Sequence, residues 1–175
     1  VATADATATF SDADGEPLQS LTVTIDNPLD GSDELLSANV GATGITASYS
    51  GHVLTLTGPA SVSDFQDVLR TIAYENTSED PDTSAVRTLS VAASDGTATS
   101  PIGTTSVSVI AVNDAAVLDL DANTAGVDFA TTYSEGEAAK LIEDPTALIS
   151  DVDDGQLASV TVTLTDAVDG TDEVL

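Results

Sequence analysis

SDADGEPLQSLTVTIDNPLDGSDELL, residues 11–36, returns 139 positions later, without a gap, as SDVDDGQLASVTVTLTDAVDGTDEVL, residues 150–175. Thirteen of the 26 aligned positions are identical, among them Asp12/Asp151, Asp14/Asp153, Asp30/Asp169, Gly31/Gly170, Asp33/Asp172 and Glu34/Glu173. Two features of this stretch decide the reading. Within it, residues 20–26 (SLTVTID) alternate Leu, Val and Ile with Thr, the period of a strand with one buried and one wet face. Its return at a long interval marks a slice of an array, and arrays of long units are structural or adhesive more often than catalytic.

Working outward, the same alternation recurs at residues 45–49 (ITASY), 53–57 (VLTLT), 87–92 (RTLSVA), 105–111 (TSVSVIA) and 159–165 (SVTVTLT). These are expected to be the strands of a β-sandwich. Ser50-Gly51-His52 is short enough to make a hairpin of the runs on either side, with His52 an exposed loop residue. One helix is predicted, over residues 61–69, where Ser61 caps, Asp64 follows three residues later, and Phe65, Val68 and Leu69 share a face. It would plug one end of the sandwich. Residues 26–34 (DNPLDGSDE) and 75–84 (ENTSEDPDTS) read as acidic loops. A boundary after Val112-Asn113-Asp114 gives a first unit of residues 1–114 and the opening part of a second, residues 115–175. By the 139-residue offset the first unit is expected to lack its opening strand.

Thirty Asp plus Glu against three Lys plus Arg give a formal charge of −27, which opposes compaction and excludes nucleic acid as a partner. A 41% hydrophobic content, rich in Val, Ile and Thr, argues against disorder. With no Cys, Met or Trp and a single His, disulfides, zinc–thiolate sites and Cys or His catalysis lack raw material. Three Phe and three Tyr are too few aromatics to wall a glycosidase cleft around paired carboxylates, so no enzyme is expected. Nor does any segment approach the roughly 18 apolar residues of a membrane span, so direct membrane insertion is not expected. Arg70 and Arg87 are expected to pair with local carboxylates.

Residues 89–117 (LSVAASDGTATSPIGTTSVSVIAVNDAAV) resemble the end of a cadherin-like repeat: an alternating strand, A-x-D-x, a second alternating strand, then V-N-D-x-x-V. Together with Asp64-Phe65, Leu69-Arg70, Tyr74-x-Asn76-Thr77-Ser78, Asp80-Pro81-Asp82 and Asp95-Gly96, the whole chain resembles the cadherin-like tandem repeats of large bacterial RTX-type and biofilm adhesins. The resemblance implies an all-β fold of Greek-key (cadherin/Ig-like) β-sandwich repeats in tandem, one short helix per repeat, Ca²⁺ at the junctions, and a secreted, cell-surface role. Calcium is also reached from chemistry: it takes six to eight oxygens, chiefly carboxylates and carbonyls, which acidic loops on neighbouring units can supply.

In the cadherin pattern the linker would contribute Asn113 and Asp114, the following unit Asp151 and Asp153, and the preceding unit its acidic loop, here Asp80 and Asp82 in place of the family's D-R-E. Asp95 with Asp12 and Asp14 would serve the equivalent junction at the other end of the first unit, and Glu135 a junction beyond residue 175. For the D-x-D pairs a solvated, self-capping acidic turn is the alternative. For Asp30-Gly31-x-Asp33-Glu34 and its copy, a hairpin turn explains the recurrence as well as a metal does. An EF-hand loop is excluded, because residues 151–155 (DVDDG) place Gly one position early and lack the closing Glu.

The expected function is a Ca²⁺-stiffened structural and adhesive spacer repeat whose partners are neighbouring repeats of the same polypeptide. Two alternatives stand beside it. The repeat itself binds polysaccharide or identical repeats, with Tyr49, Tyr74 and Phe129 as available aromatics, or the chain builds filaments by strand donation.

Overall fold

The computed structural model describes Thr9, Ser11 and residues 15–175; the expectations for Asp12 and Asp14 lie outside the described residues. The chain divides into two units, Val1–Val112 and Asn113–Leu175. Asn113 and Asp114 therefore belong to the second. The described residues form antiparallel sheets with one α-helix, an all-β protein, and no helix among them is long and apolar enough to cross a membrane.

In the first unit the stretch that opened the reading is the central strand, β1 (Leu18–Ile25), with Leu18, Leu21, Val23 and Ile25 buried. The remaining elements in chain order are β2 (Glu34–Ser37), β3 (Thr46–Ser50), β4 (Val53–Ala60), α1 (Val62–Leu69), β5 (Ala73–Asn76), β6 (Arg87–Ser94) and β7 (Gly103–Val107). β1 is held on both sides, by β4 through pairs such as Val23 with Leu54 and by β6 through Val23 with Val91. The five-stranded order is β3-β4-β1-β6-β7, and β2 pairs separately with β5. Leu54 and Leu56 of β4, Leu89 of β6, Leu36 of β2, Tyr74 of β5 and Phe65, Val68 and Leu69 of α1 complete the core. Each such side chain contributes about 1.5–3 kcal/mol when fully buried.

Local chemistry sets the connections. β3 and β4 are joined through Gly51 and His52, both at positive φ (58° and 66°), the two-residue turn whose twist matches antiparallel strands. His52 is half-buried rather than exposed. α1 begins at Ser61, whose hydroxyl oxygen accepts the Asp64 N–H at 3.1 Å.

Three expectations change. β7 covers residues 103–107 rather than 105–111, because β6 offers partners only from Arg87 to Val91 and Val107 closes the register opposite Arg87. β2 and β5, four residues each, were too short to show a period. The third change is in the second unit, where β8 (Val117–Asp119) pairs with β9 (Leu148–Ser150) while residues 159–165 form no strand. Those residues copy β1, which exists by pairing on both flanks, and among the described residues they have no ladder partner.

A close approach near the start of β1 gives a direct test. The register with β4 shifts between Leu18 and Ser20, and a Cβ on Gly58 would sit 2.7 Å from both the Leu18 carbonyl oxygen and the Ala60 nitrogen. Gly58→Ala is expected to lower stability by about 1–3 kcal/mol, read as a reduced urea midpoint. Gly103→Ala, where a Cβ meets nothing nearer than 4.0 Å, should leave the midpoint unchanged or slightly raised.

Candidate functional site

Residues 30–34 (DGSDE) form a single 3₁₀ turn, Gly31–Asp33, leading into β2. Gly31 lies at φ 57°, a left-handed conformation that glycine adopts without strain, and the Asp33 N–H closes on the Asp30 carbonyl at 3.2 Å. The copy at 169–173 (DGTDE) repeats this closely: Gly170 at φ 63°, Asp172 N–H on the Asp169 carbonyl at 3.3 Å, and Glu173 at φ −95°, ψ 121° beside −92°, 120° for Glu34. The duplicated sequence thus writes the same 3₁₀ turn twice; it is not the turn of a hairpin.

In the first unit this turn surrounds a buried cation. Arg87, the first residue of β6, and Glu34, the first of β2, are both fully buried. The Arg87 Nε–H donates to Glu34 Oε1 at 2.6 Å, Nη2 donates to Asp30 Oδ2, and Nη1 donates to the carbonyls of Asp82 and Ala85. Asp30 also accepts the Asn76 amide at Oδ2 (2.6 Å) and the Asp82 N–H at Oδ1 (2.8 Å). Asn76 is the register partner of Glu34, so the first rung of the β2–β5 ladder reaches the guanidinium directly through Glu34 and, from the other strand, through Asp30. A metal role for Asp30 and Glu34 is displaced by this arrangement, since the carboxylates already enclose a cation.

Two tyrosines complete the cluster. The Tyr49 hydroxyl donates to the Glu34 backbone carbonyl at 2.6 Å, and Tyr74 is buried beside Glu34. Tyr74 is therefore no part of an exposed aromatic platform. Burial, and then the Glu34 charge, raise the pKa of both phenols above 10.0, with Arg87 and Asn76 opposing this at Tyr74. At Arg87 burial lowers the pKa, but the hydrogen bond and charge of Glu34, aided by Tyr74 and Asp30, outweigh it and the net shift is upward.

The expected calcium ligands divide between the units. In the first, Asp80 and Asp82 are exposed on the loop between β5 and β6, and hydrogen bonds from the Ser84 side chain and from its N–H, the latter to Asp82 Oδ1 at 2.7 Å, lower the Asp82 pKa. Asp95 caps its own turn: its Oδ1 accepts the Ala98 and Thr97 N–H groups, both at 2.7 Å, and its pKa falls accordingly. The same self-capping, the alternative expected for the D-x-D pairs, occurs at Asp151. In the second unit Asp114, Asp151 and Asp153 come together: the Asp114 N–H donates to Asp153 Oδ2, and Asp151 Oδ1 accepts the Asp153 and Asp154 N–H groups at 3.0 and 3.1 Å. Asn113 donates its amide to the Asp114 carbonyl. Glu135 is exposed, in the turn closed by the Glu137 N–H on the Ser134 carbonyl.

These donors fit calcium in kind, being carboxylate and carbonyl oxygens, with hydrogen bonds drawn to one oxygen of each carboxylate at Asp82, Asp151 and Asp153. Among the described residues no three acidic or histidine side chains gather closely enough to close a shell themselves. Carbonyls and water would have to supply the remainder. Comparison with protein-family models, with curated proteins and with solved structures finds no match for this chain.

The sequence pairs Arg87 with local carboxylates, and the structure places that pairing in the core. The available signal was its position at the head of an alternating strand, in register with buried Leu89.

Arg87→Ala leaves Glu34 and Asp30 without their cation and is expected to cost about 3–5 kcal/mol in urea unfolding. The raised tyrosine values set an alkaline limit. Above pH 10.0 the unfolded chain releases phenolic protons that the folded chain retains, so the stability present below pH 10.0 is lost as pH rises through the folded values. Urea midpoints measured from pH 8 to 11 should fall beyond pH 10, and less steeply in Tyr74→Phe.

Proposed function

We propose that this chain is a piece of a calcium-stiffened spacer from a secreted bacterial cell-surface adhesin, made of cadherin-like, Greek-key β-sandwich repeats in tandem. One observation carries the reading: the duplicated acidic segment brings Asp151 and Asp153 together with Asp114 of the VND stretch, through the Asp114 N–H bond to Asp153. These two sequence-distant acidic motifs meet in one loop cluster of the second unit, and a junctional cation would draw its remaining oxygens from a neighbouring repeat. The −27 charge supports the same reading, because a chain so acidic gains stability from any divalent cation it retains.

Calcium, when bound, would supply the charge and the coordination bonds that stiffen a junction. The chain's own contribution is to hold Asp114, Asp151 and Asp153 in place through backbone N–H bonds. The partners of such a spacer are neighbouring repeats of the same polypeptide. With Tyr74 in the core, a polysaccharide-binding face has little aromatic surface to build on. Filament assembly by strand donation has one observation in its favour: Leu157, Val160, Val162 and Leu164 alternate as the buried residues of β1 do, yet are 40–60% exposed.

Thermal unfolding in 5 mM CaCl₂ against EDTA tests the spacer reading. Extracellular sites of roughly 0.1–1 mM affinity add about 1–2 kcal/mol at that concentration. Tm should rise by several degrees with calcium, and Asp151→Ala/Asp153→Ala should lose most of the gain. An unchanged Tm would refute calcium stiffening; concentration-dependent assembly abolished by Val160→Thr/Val162→Thr would favour strand donation instead.

A further inference from the structure

We propose that the copied turn of the second unit is a guanidinium site, in which Asp169 and Glu173 take the arginine at the head of an extended strand as Asp30 and Glu34 take Arg87. This rests on the duplication itself and not on calcium. The first unit shows what the turn holds: Asp30 Oδ2 and Glu34 Oε1 each accept an N–H of one buried guanidinium. In the second unit Asp169, Gly170, Asp172 and Glu173 repeat Asp30, Gly31, Asp33 and Glu34 on a backbone of matching angles. That unit has no cation to put there. Residues 113–175 contain no arginine, and their one lysine, Lys140, pairs with Glu137 at 3.0 Å.

A second observation, separate from the sequence copy, points the same way. Glu173 Oε2 is shielded from water and accepts no hydrogen bond among the described residues. A carboxylate oxygen withdrawn from water without a donor is costly, and a partner that supplies the donor removes that cost. Arginine suits the pair better than lysine, because its planar fork reaches two carboxylates in fixed geometry where an ammonium is a point charge.

The rest of the copy specifies the strand that carries the arginine. In the first unit Arg87 opens β6, and β6 lies on β1 with Leu89 opposite Ile25, Val91 opposite Val23 and Ala93 opposite Leu21. The copies of those β1 positions are Leu164, Val162 and Val160, all exposed. An arginine followed by apolar residues at every second position thus matches both the carboxylate pair and the apolar row. Strand addition of this kind takes affinity from main-chain pairing and specificity from side-chain pockets. The first unit's own β6 is not that strand, since Arg87 is already enclosed; the occupant is a separate segment of β6 type.

The test adds a synthetic peptide of residues 86–94 (VRTLSVAAS) to the ¹⁵N-labelled whole chain and follows the amides of Gly170, Asp172 and Glu173 by NMR. The amides of Gly31, Asp33 and Glu34, whose site is filled, are the reference. The proposal expects shifts at the second turn and none at the first. The dissociation constant should be about ten times higher for the Arg87→Lys peptide, which forfeits a charge-assisted hydrogen bond, and should rise similarly when the protein carries Glu173→Gln. Asp128→Asn, which removes an exposed carboxylate outside the turn, should bind as the unaltered protein does. The peptide comparison leaves the protein untouched, so it decides the matter even where Glu173→Gln perturbs the turn. No shift at the second turn, equal shifts at both turns, equal constants for the two peptides, or an equal loss in Asp128→Asn each overturn the guanidinium site. Movement of the same amides on raising the concentration of the protein alone would make β6 of a second copy the occupant and overturn the assignment to a separate segment. None of these outcomes bears on calcium, which the thermal test decides.

Discussion

A guanidinium placed where water does not reach organises the first unit. Withdrawing an ion from water costs several kcal/mol, so Arg87 is tolerated in the core only because its N–H groups are met by Glu34, Asp30 and the carbonyls of Asp82 and Ala85. Those partners come from two separated stretches: residues 30–34, where the turn runs into β2, and the acidic loop before β6. Arg87 itself begins β6, in the five-stranded sheet. One side chain therefore ties the small ladder and both acidic loops to the large sheet. A hydrophobic residue there would pack as well, but it would leave the buried carboxylates and loop carbonyls unanswered.

This explains how a chain of such charge folds around so few cations. Of its three basic residues, Arg70 pairs with Asp67 and Lys140 with Glu137 at the surface, where ion pairs contribute little. The third, Arg87, is spent inside. The exposed carboxylates instead satisfy nearby backbone N–H groups, as Asp95 does for Thr97 and Ala98 and Asp144 for Thr146. Self-capping keeps acidic turns in shape, and it leaves a net negative surface whose relief must come from solution ions.

The two copies of the acidic turn separate local from long-range causes. Residues 30–34 and 169–173 adopt matching backbone angles, although only the first has an arginine in its grip. The turn is therefore a property of the Asp-Gly-x-Asp-Glu sequence: a left-handed glycine and an i to i+3 hydrogen bond need nothing from elsewhere. The burial of Glu34 is not local, since it depends on a strand more than fifty residues away. The same contrast holds for residues 18–25 and 157–164, alike in sequence and pattern. The first is a central strand because β4 and β6 pair with it; the second has no ladder partner among the described residues and is no strand.

What the sequence by itself determined are the features that neighbouring residues enforce. They are the Ser61 cap that starts α1, the Gly51-His52 turn and the duplicated 3₁₀ turn; alternation marks β1, β3, β4 and β6 as able to pair, and their partners make them strands. The bond between Asp114 and Asp153 spans 39 residues and is no product of neighbours. Tertiary structure decided the rest. The four-residue strands β2 and β5 exist because their register places Glu34 opposite Asn76 around the guanidinium, and Tyr74 is core rather than surface for the same reason. Whether a charged or aromatic side chain is buried depends on which distant partners satisfy it, and the order of residues along a chain does not carry those distances.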